Sequence, residues 1–303
     1  MIKYGEVILL LYDVTVTEKA YAKINLFLDC ERKRSDGYHD IVSVMQSVSL
    51  FDNVSVKIYE NGTDRLFCND PIVPCDERNL AYKALLAFRK YSGLDFFAEI
   101  HIDKKIPAAA GLAGGSSDAA AVLRALCTLS ETGFSDEELT KIAISVGSDV
   151  PFCVFGGTKL VSSVGDNISA LPKCPKMYVL LAIKGEGVST PWAYSVLDEA
   201  YGDFHASHNV AKPRLDALFA ALSDKNTKGV AENAYNIFEN EIGKRREEVR
   251  RLLGIMNRNG ASNSIMSGSG PTVIGFFDDK KTAKNAAAKL NEYGAESFFC
   301  ETV

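Results

Sequence analysis

Residues 106–126 read IPAAAGLAGGSSDAAAVLRAL. The first part, Pro107 to Ser117, is a small-residue loop with Gly111, Gly114, Gly115, Ser116 and Ser117. The second part is helical in pattern. Ala119, Val122, Leu123 and Leu126 recur at i, i+3, i+4 and i+7 and predict one apolar helix face. Ser116, Ser117 or Asp118 is placed to cap its start. A glycine-rich loop entering a helix suits phosphate: the backbone comes close, N–H groups converge, and the helix dipole favours negative charge. The P-loop pattern is absent, because no Lys follows these glycines, and the dinucleotide fingerprint fails on spacing. Such a loop also serves simply to pack a helix closely on a sheet, so the stretch alone leaves both uses open.

Working outward, Phe97 to Ile102 alternates as a strand that delivers the chain to this loop. Asn79 is an N-cap for a helix over residues 80–91, ended by Gly93. After the loop's helix, Gly133 ends the element, and Ser135 with Glu138 forms a capping box for a helix through Val146, with Gly147 as its C′ residue. Next stands Asp149, ahead of Pro151, which predicts an extended Val150. An acid among apolar neighbours (Val146, Val150, Phe152) is either a base or a cap, and capping is the commoner use.

Upstream, Ala20 to Leu28 reads as a strand. Ala22, Ile24, Leu26 and Leu28 share one face; Lys23 and Asn25 share the other. Polar neighbours on one face are commonly solvated, but Phe27 beside them weakens that reading. A polar loop, residues 31–40, ends in Tyr38 and His39, which could stack on and hydrogen-bond to a flat ring or simply be loop residues. Val42, Val44 and Val48, then Val54, Val56 and Ile58, predict further strands.

Downstream, Pro172 to Pro175 marks a boundary, so the domains are read as 1–172 and 173–303. Residues 177–183 form a strand, and 185–190 a flexible loop before Trp192 and Tyr194. Pro213 opens a helix through Leu222. Residues 232–256 read as helical with a break at Gly243, their basic residues a solvated face. Ser267-Gly268-Ser269-Gly270-Pro271 is a second glycine-rich loop, leading into a strand through Phe277. A helix over residues 280–293 follows.

The 303 residues, 47% hydrophobic and 24% charged, describe an ordinary soluble protein of about two domains. A net charge of −5 excludes a general nucleic-acid binder. The seven cysteines are scattered and odd in number, which reads as reduced thiols in a cytoplasm. No run is long enough to span a membrane. The start, MIKYGEVILLLYDV, lacks a signal-peptide pattern and reads as a strand or extension.

The motif order is A-K-I-N, D-G-Y-H, P-x-x-x-G-L-x-G-G-S-S-D-A-A, G-S-D-V-P-F, S-G-S-G-P. In this the chain resembles the GHMP kinase superfamily from about Ala20 onward. The resemblance implies a two-domain α+β fold, with an N-terminal half like ribosomal protein S5 domain 2 and a C-terminal GHMP domain. It implies ATP and Mg2+ as cofactors. The D-G-Y-H turn points to the members whose substrate carries a cytidine diphosphate group and whose phosphoryl acceptor is the 2-hydroxyl of a methylerythritol unit, on the non-mevalonate route to isoprenoids. In that reading Pro107, Ala108, Ala109, Ala110, Gly111, Leu112, Ala113, Gly114, Gly115, Ser116 and Ser117 hold the ATP phosphates. Asp149 takes the hydroxyl proton and Lys23 steadies the charge. Asn25, Tyr38, His39, Tyr194, Gly268, Ser269 and Gly270 bind the substrate, with Tyr38, His39 and Tyr194 on the cytosine. No metal ligand is assigned, and the enzyme is expected as a monomer or weak homodimer, away from nucleic acid and membrane. Ala109 and Ala113 stand where many relatives carry glycine, and ordinary backbone angles are expected there. The alternatives are a mevalonate or homoserine kinase, a catalytically silent nucleotide binder, or a structural protein without ligand.

Overall fold

The computed structural model describes residues 10–202 and 208–303. The N-terminal strand or extension expected over residues 1–14 lies outside the described residues as far as residue 9. In chain order the elements are β1 (Thr15–Lys33), β2 (His39–Tyr59), β3 (Arg65–Cys68), α1 (Leu80–Ser92), β4 (Phe97–Asp103), α2 (Gly114–Ser130), α3 (Asp136–Val146), α4 (Val150–Phe155), β5 (Thr158–Ser163), β6 (Asn167–Ala170) and β7 (Tyr178–Ile183). They continue with α5 (Thr190–Tyr201), α6 (His208–Ser223), α7 (Thr227–Glu232), β8 (Tyr235–Asn236), α8 (Ile237–Arg245), α9 (Glu247–Arg258), β9 (Asn263–Met266), β10 (Val273–Phe277), α10 (Lys280–Glu292) and β11 (Glu296–Glu301). The chain forms two compact units. The first takes 10–22, Phe51–Ala108 and Ala113–Phe155; the second takes Lys23–Leu50, Ala109–Leu112 and Gly156–Val303.

In the first unit, β4 pairs antiparallel with β2, from Asn53 opposite Asp103 to Tyr59 opposite Phe97, and parallel with β3. Val54, Val56 and Ile58 are fully buried, as a period of two demands for one covered face. Helices α1 to α4 supply the rest of this core, including Leu85, Phe88, Leu123 and Leu129. Asn79 caps α1 by accepting from the Ala81 N–H, and Gly93 closes it in the left-handed region. The capping box on α3 is present with both bonds. Helix α2 is buried on more than one apolar stripe, because Ala120, Ala121 and Ala125 are covered as well. Their methyl-sized side chains let neighbours approach from several sides.

In the second unit, β2 pairs with β5, β5 with β6, and β1 runs parallel to β8. A separate sheet has the order β11-β7-β10-β9. Its core includes Leu180, Ile237, Phe238, Leu252 and Met266. The hairpin β5–β6 carries no strong apolar alternation, and its sequence gave no strand signal.

Several local expectations change. The runs at 42–48 and 54–58 belong to one strand, β2; of the polar residues between them, Asp52 is fully buried and hydrogen-bonded. Gly147 does end α3, its N–H donating to Ala143 O at 3.2 Å, with extended backbone at φ 175. Val150 opens α4 instead of being extended; Pro151 then falls in a first turn, where its missing N–H costs nothing. Helix α2 stops at Ser130, before Gly133. Pro213 lies inside α6, since that helix already runs from His208; buried Leu218, Ala221 and Leu222 hold its later turns. The stretch 232–256 breaks on either side of α8, before Asn236 and at Arg246, while Gly243 is buried within the helix. No helix among the described residues is long and apolar enough to cross a membrane.

Candidate active site

Lys23 and Asn25 are buried, at 5% and 1% exposure. The solvated-face reading of that side of β1 therefore fails. Lys23 Nζ donates to Asn25 Oδ1 at 3.0 Å, Asn25 Nδ2 donates to Ser43 Oγ at 2.8 Å, and Ser43 Oγ donates to Phe27 O at 2.7 Å. This relay fixes the Asn25 amide with its oxygen toward the ammonium. Ser43, a hydroxyl between the valines of β2, carried no signal of its own in the sequence.

The glycine-rich loop departs from expectation in its backbone. Ala109 and Ala113 sit at φ 52 and 54, in the left-handed region, with Gly111 at φ 75 between them. A left-handed alanine costs roughly 1–2 kcal/mol, so the loop holds strain that only its surroundings maintain. Those surroundings are visible at the tip. Thr272 Oγ1 donates to Ala110 O at 2.5 Å, Ser267 Oγ to Gly111 O at 3.2 Å, and the Lys23 N–H to Leu112 O at 3.1 Å. A Cβ on Gly111 would stand 2.7 Å from Ser267 O, so this position admits only glycine. The second glycine-rich loop thus packs on the tip of the first. Gly268 also faces the β1 pair: a Cβ there would lie 3.7 Å from Asn25 Oδ1 and 3.8 Å from Lys23 Nζ.

Helix α2 begins at Gly114, earlier than the expected caps, and Ala113 provides no side-chain cap. Ser117 Oγ instead donates to Tyr21 O at 2.6 Å, and Asp118 binds Lys104 at 2.7 Å. Ala108, Ala109 and Gly115 are exposed. A first turn without a side-chain cap, in a loop of small exposed residues, is an arrangement that an anion completes. In the first unit the start of this loop is clamped. Lys104 Nζ lies 2.6 Å from Asp52 and 2.7 Å from Asp118, and Asp52 Oδ1 accepts from the Lys105 and Ile106 N–H groups. Burial pushes the Asp118 carboxyl well above its ordinary range, against the pull of Lys104. The sequence reading missed this clamp, because Asp52 is remote in sequence from the loop.

Asp149 precedes α4, half-buried, and its backbone carbonyl accepts from the Cys153 N–H at 3.1 Å.

The D-G-Y-H turn separates its two rings. Tyr38 is 68% exposed, whereas His39 is buried. His39 stacks on Tyr194, centroids 4.5 Å apart, and Tyr194 meets Phe238 edge-on at 5.0 Å. His39 Nε2 lies 2.7 Å from Asp198 Oδ1, and Lys33 donates to Asp198 Oδ2 at 2.6 Å. Burial raises the Asp198 carboxyl, but the Lys33 and His39 hydrogen bonds outweigh it and hold the group below its usual range. An ionised carboxylate only accepts, so the proton sits on Nε2. Asp198 was also missed; it lies one helical turn past Tyr194 on α5. Ser269 Oγ and Thr190 Oγ1 are 3.4 Å apart.

The phosphate-type loop, buried lysine and aromatic turn define a small-molecule kinase of the GHMP type. Two family descriptions match the chain: GHMP kinases N terminal domain over residues 79–157, and GHMP kinases C terminal over residues 197–296. The chain is 37% identical to the 4-diphosphocytidyl-2-C-methyl-D-erythritol kinase of Caldicellulosiruptor bescii, over 94% of this chain and 97% of that protein. It is 40% identical to the enzyme of the same name from Acaryochloris marina, over 90% and 91%. A crystal structure of 4-(cytidine 5'-diphospho)-2C-methyl-D-erythritol kinase superposes with a TM-score of 0.78 at 28% identity, covering 95% of this chain and 99% of that one. The chain belongs to the 4-diphosphocytidyl-2-C-methyl-D-erythritol kinase family of GHMP kinases.

Proposed function

We propose that this protein transfers the γ-phosphoryl group of ATP to the 2-hydroxyl of 4-diphosphocytidyl-2-C-methyl-D-erythritol, on the non-mevalonate route to isoprenoid precursors. The observation that carries the reading is the buried Lys23–Asn25 pair lying against the Gly268 loop, which in turn packs on the tip of the phosphate-type loop. Phosphoryl transfer has a loose transition state, so positioning and charge stabilisation do most of the work. In this reading residues 107–117 cradle the phosphates through backbone N–H groups. Asp149 takes the proton from the acceptor hydroxyl. Lys23 steadies the developing charge, and Asn25 orients the acceptor with Gly268, Ser269 and Gly270. Tyr38, His39 and Tyr194 receive the cytosine, with Asp198 fixing the His39 ring. Mg2+ would come with ATP and neutralise charge on its phosphates, with no ligand among this chain's residues assigned to it. Residues 1–172 hold the ATP and also carry Lys23, Asn25, Tyr38, His39 and Asp149, residues 173–303 complete the enzyme, and the protein works in the cytoplasm as a monomer or weak homodimer.

The test is ADP release with Mg-ATP and a panel of alcohols: the cytidyl compound, mevalonate, homoserine and galactose. Turnover of the cytidyl compound alone is the expected result. Turnover of another alcohol keeps the kinase chemistry and removes the cytosine assignment. ATP binding without any turnover makes the chain a silent binder.

A further inference from the structure

Asn236 lies outside every motif named above, yet it joins three parts of the second unit. It forms β8, with Asn236 paired to Leu28, three residues along β1 from Asn25. It is 4% exposed. Its Oδ1 accepts from the Phe238 N–H at 2.9 Å and caps α8. Its Nδ2 donates to Met266 O at 2.6 Å and to Gly268 O at 2.8 Å. The amide can be oriented in only one way, since two carbonyls need donors and one N–H needs an acceptor. Met266 is held from its other side as well, because Glu239 Oε2 accepts its N–H at 2.7 Å. The loop between is closed on itself by Gly270 N–H to Ser267 O and Ser267 N–H to Thr272 O, both at 2.9 Å.

From this geometry we infer that Asn236 is a positioning residue for phosphoryl transfer: its amide clasps the Ser267–Gly270 loop so that Gly268 stays against Lys23 and Asn25 and the loop supports the Gly111 tip. The inference rests on the kinase reading and deepens it. Without the clasp, the Gly268 carbonyl loses a buried donor. The Gly268 carbonyl is then no longer tied to β8 by the Asn236 amide, and the height of the loop over the lysine is less closely set. An error of about 1 Å at such a point costs on the order of a hundredfold in rate.

Two variants separate the clasp from the cap. Asn236→Ser keeps a good N-cap oxygen but cannot reach the carbonyls. Asn236→Asp keeps size and cap, and turns an oxygen toward both carbonyls. In both, deuterium exchange at the Ser267 and Gly270 amides is expected to rise about tenfold or more, and kcat to fall about tenfold or more. The affinity for CDP alone, read by calorimetry, stays within about twofold, since the ring site is built from other residues. Should Asn236→Asp not fold, Asn236→Ser carries the test. Unchanged loop exchange overturns the inference, whether or not kcat falls, and so does faster loop exchange with wild-type kcat. If the unaltered enzyme fails to phosphorylate the cytidyl compound while the variants still loosen the loop, the clasp stands and the kinase reading falls.

Discussion

Asp149 is the residue whose role is most exposed to a single experiment. A positioned general base contributes about 10²–10⁴-fold. Asp149→Asn is therefore expected to lose that much kcat while ATP still binds, and near-normal turnover in a stopped-flow or coupled assay would remove it from the reaction. Ala113 makes a stability prediction. Its left-handed backbone at φ 54 suits glycine, so Ala113→Gly should stabilise the protein by about 1 kcal/mol, seen as a higher melting temperature. Asp198 makes a pH prediction. Lys33 and His39 hold its folded pKa below the ordinary value, so its contribution is present above about pH 4 and is lost as pH falls through the folded pKa. Wild type should exceed Asp198→Asn in stability at about pH 6, and the difference should shrink in acid. A constant difference across that range would mean that the carboxylate's charge does not matter there. At this scale the sequence singled out Lys23, Asn25, His39 and Tyr194, and the structure buries the first three and stacks His39 on Tyr194. It could not give their partners Ser43 and Asp198, because a partner across a sheet or on another helix leaves no local pattern.

Among the elements, α2 shows how a pattern can place a helix and still misplace its start. Ala119, Val122, Leu123 and Leu126 are buried as the 3.6-residue period requires. The helix begins earlier, and two of the three expected caps, Ser117 and Asp118, have other partners in Tyr21 O and Lys104. The Lys104 clamp ties Asp52 of β2 to that first turn and to the residues leading into the loop. Breaking a buried pair leaves an uncompensated charge, so Asp52→Ala is expected to cost about 3–5 kcal/mol in denaturant unfolding. A loss under about 1 kcal/mol would show that Asp118 alone satisfies the lysine. Helix α6 gives the opposite lesson. Pro213 is a start signal by local rules, yet buried Leu218 and Leu222 hold a helix that contains it.

The molecule as a whole was the most legible level. Alternating valines, capped helices and two glycine-rich loops specify a mixed α+β chain, because hydrophobic period and turn chemistry are properties of neighbours in sequence. The residues ahead of the motif region also matter to stability: Leu10, Leu11, Tyr12 and Val16 pack on the first core, and the Leu11 N–H donates to Leu129 O at 2.8 Å. A chain beginning at Thr15 loses Leu10, Leu11 and Tyr12 from that contact and is therefore expected to be less stable by about 2–3 kcal/mol of lost apolar burial, seen as a lower melting temperature. An unchanged melting curve would make the segment dispensable. By itself the sequence determined the alternating strands and capped helices around the first core, which loops are rich in glycine, and the order of motifs that marks a GHMP kinase. Only the tertiary structure decided that Lys23 and Asn25 are buried together, that Ala109 and Ala113 adopt left-handed backbone, and that Asn236 holds the second loop. Burial, strain and long-range hydrogen bonds depend on which distant segments meet, and the free energy that sustains them comes from packing that no local stretch of sequence contains.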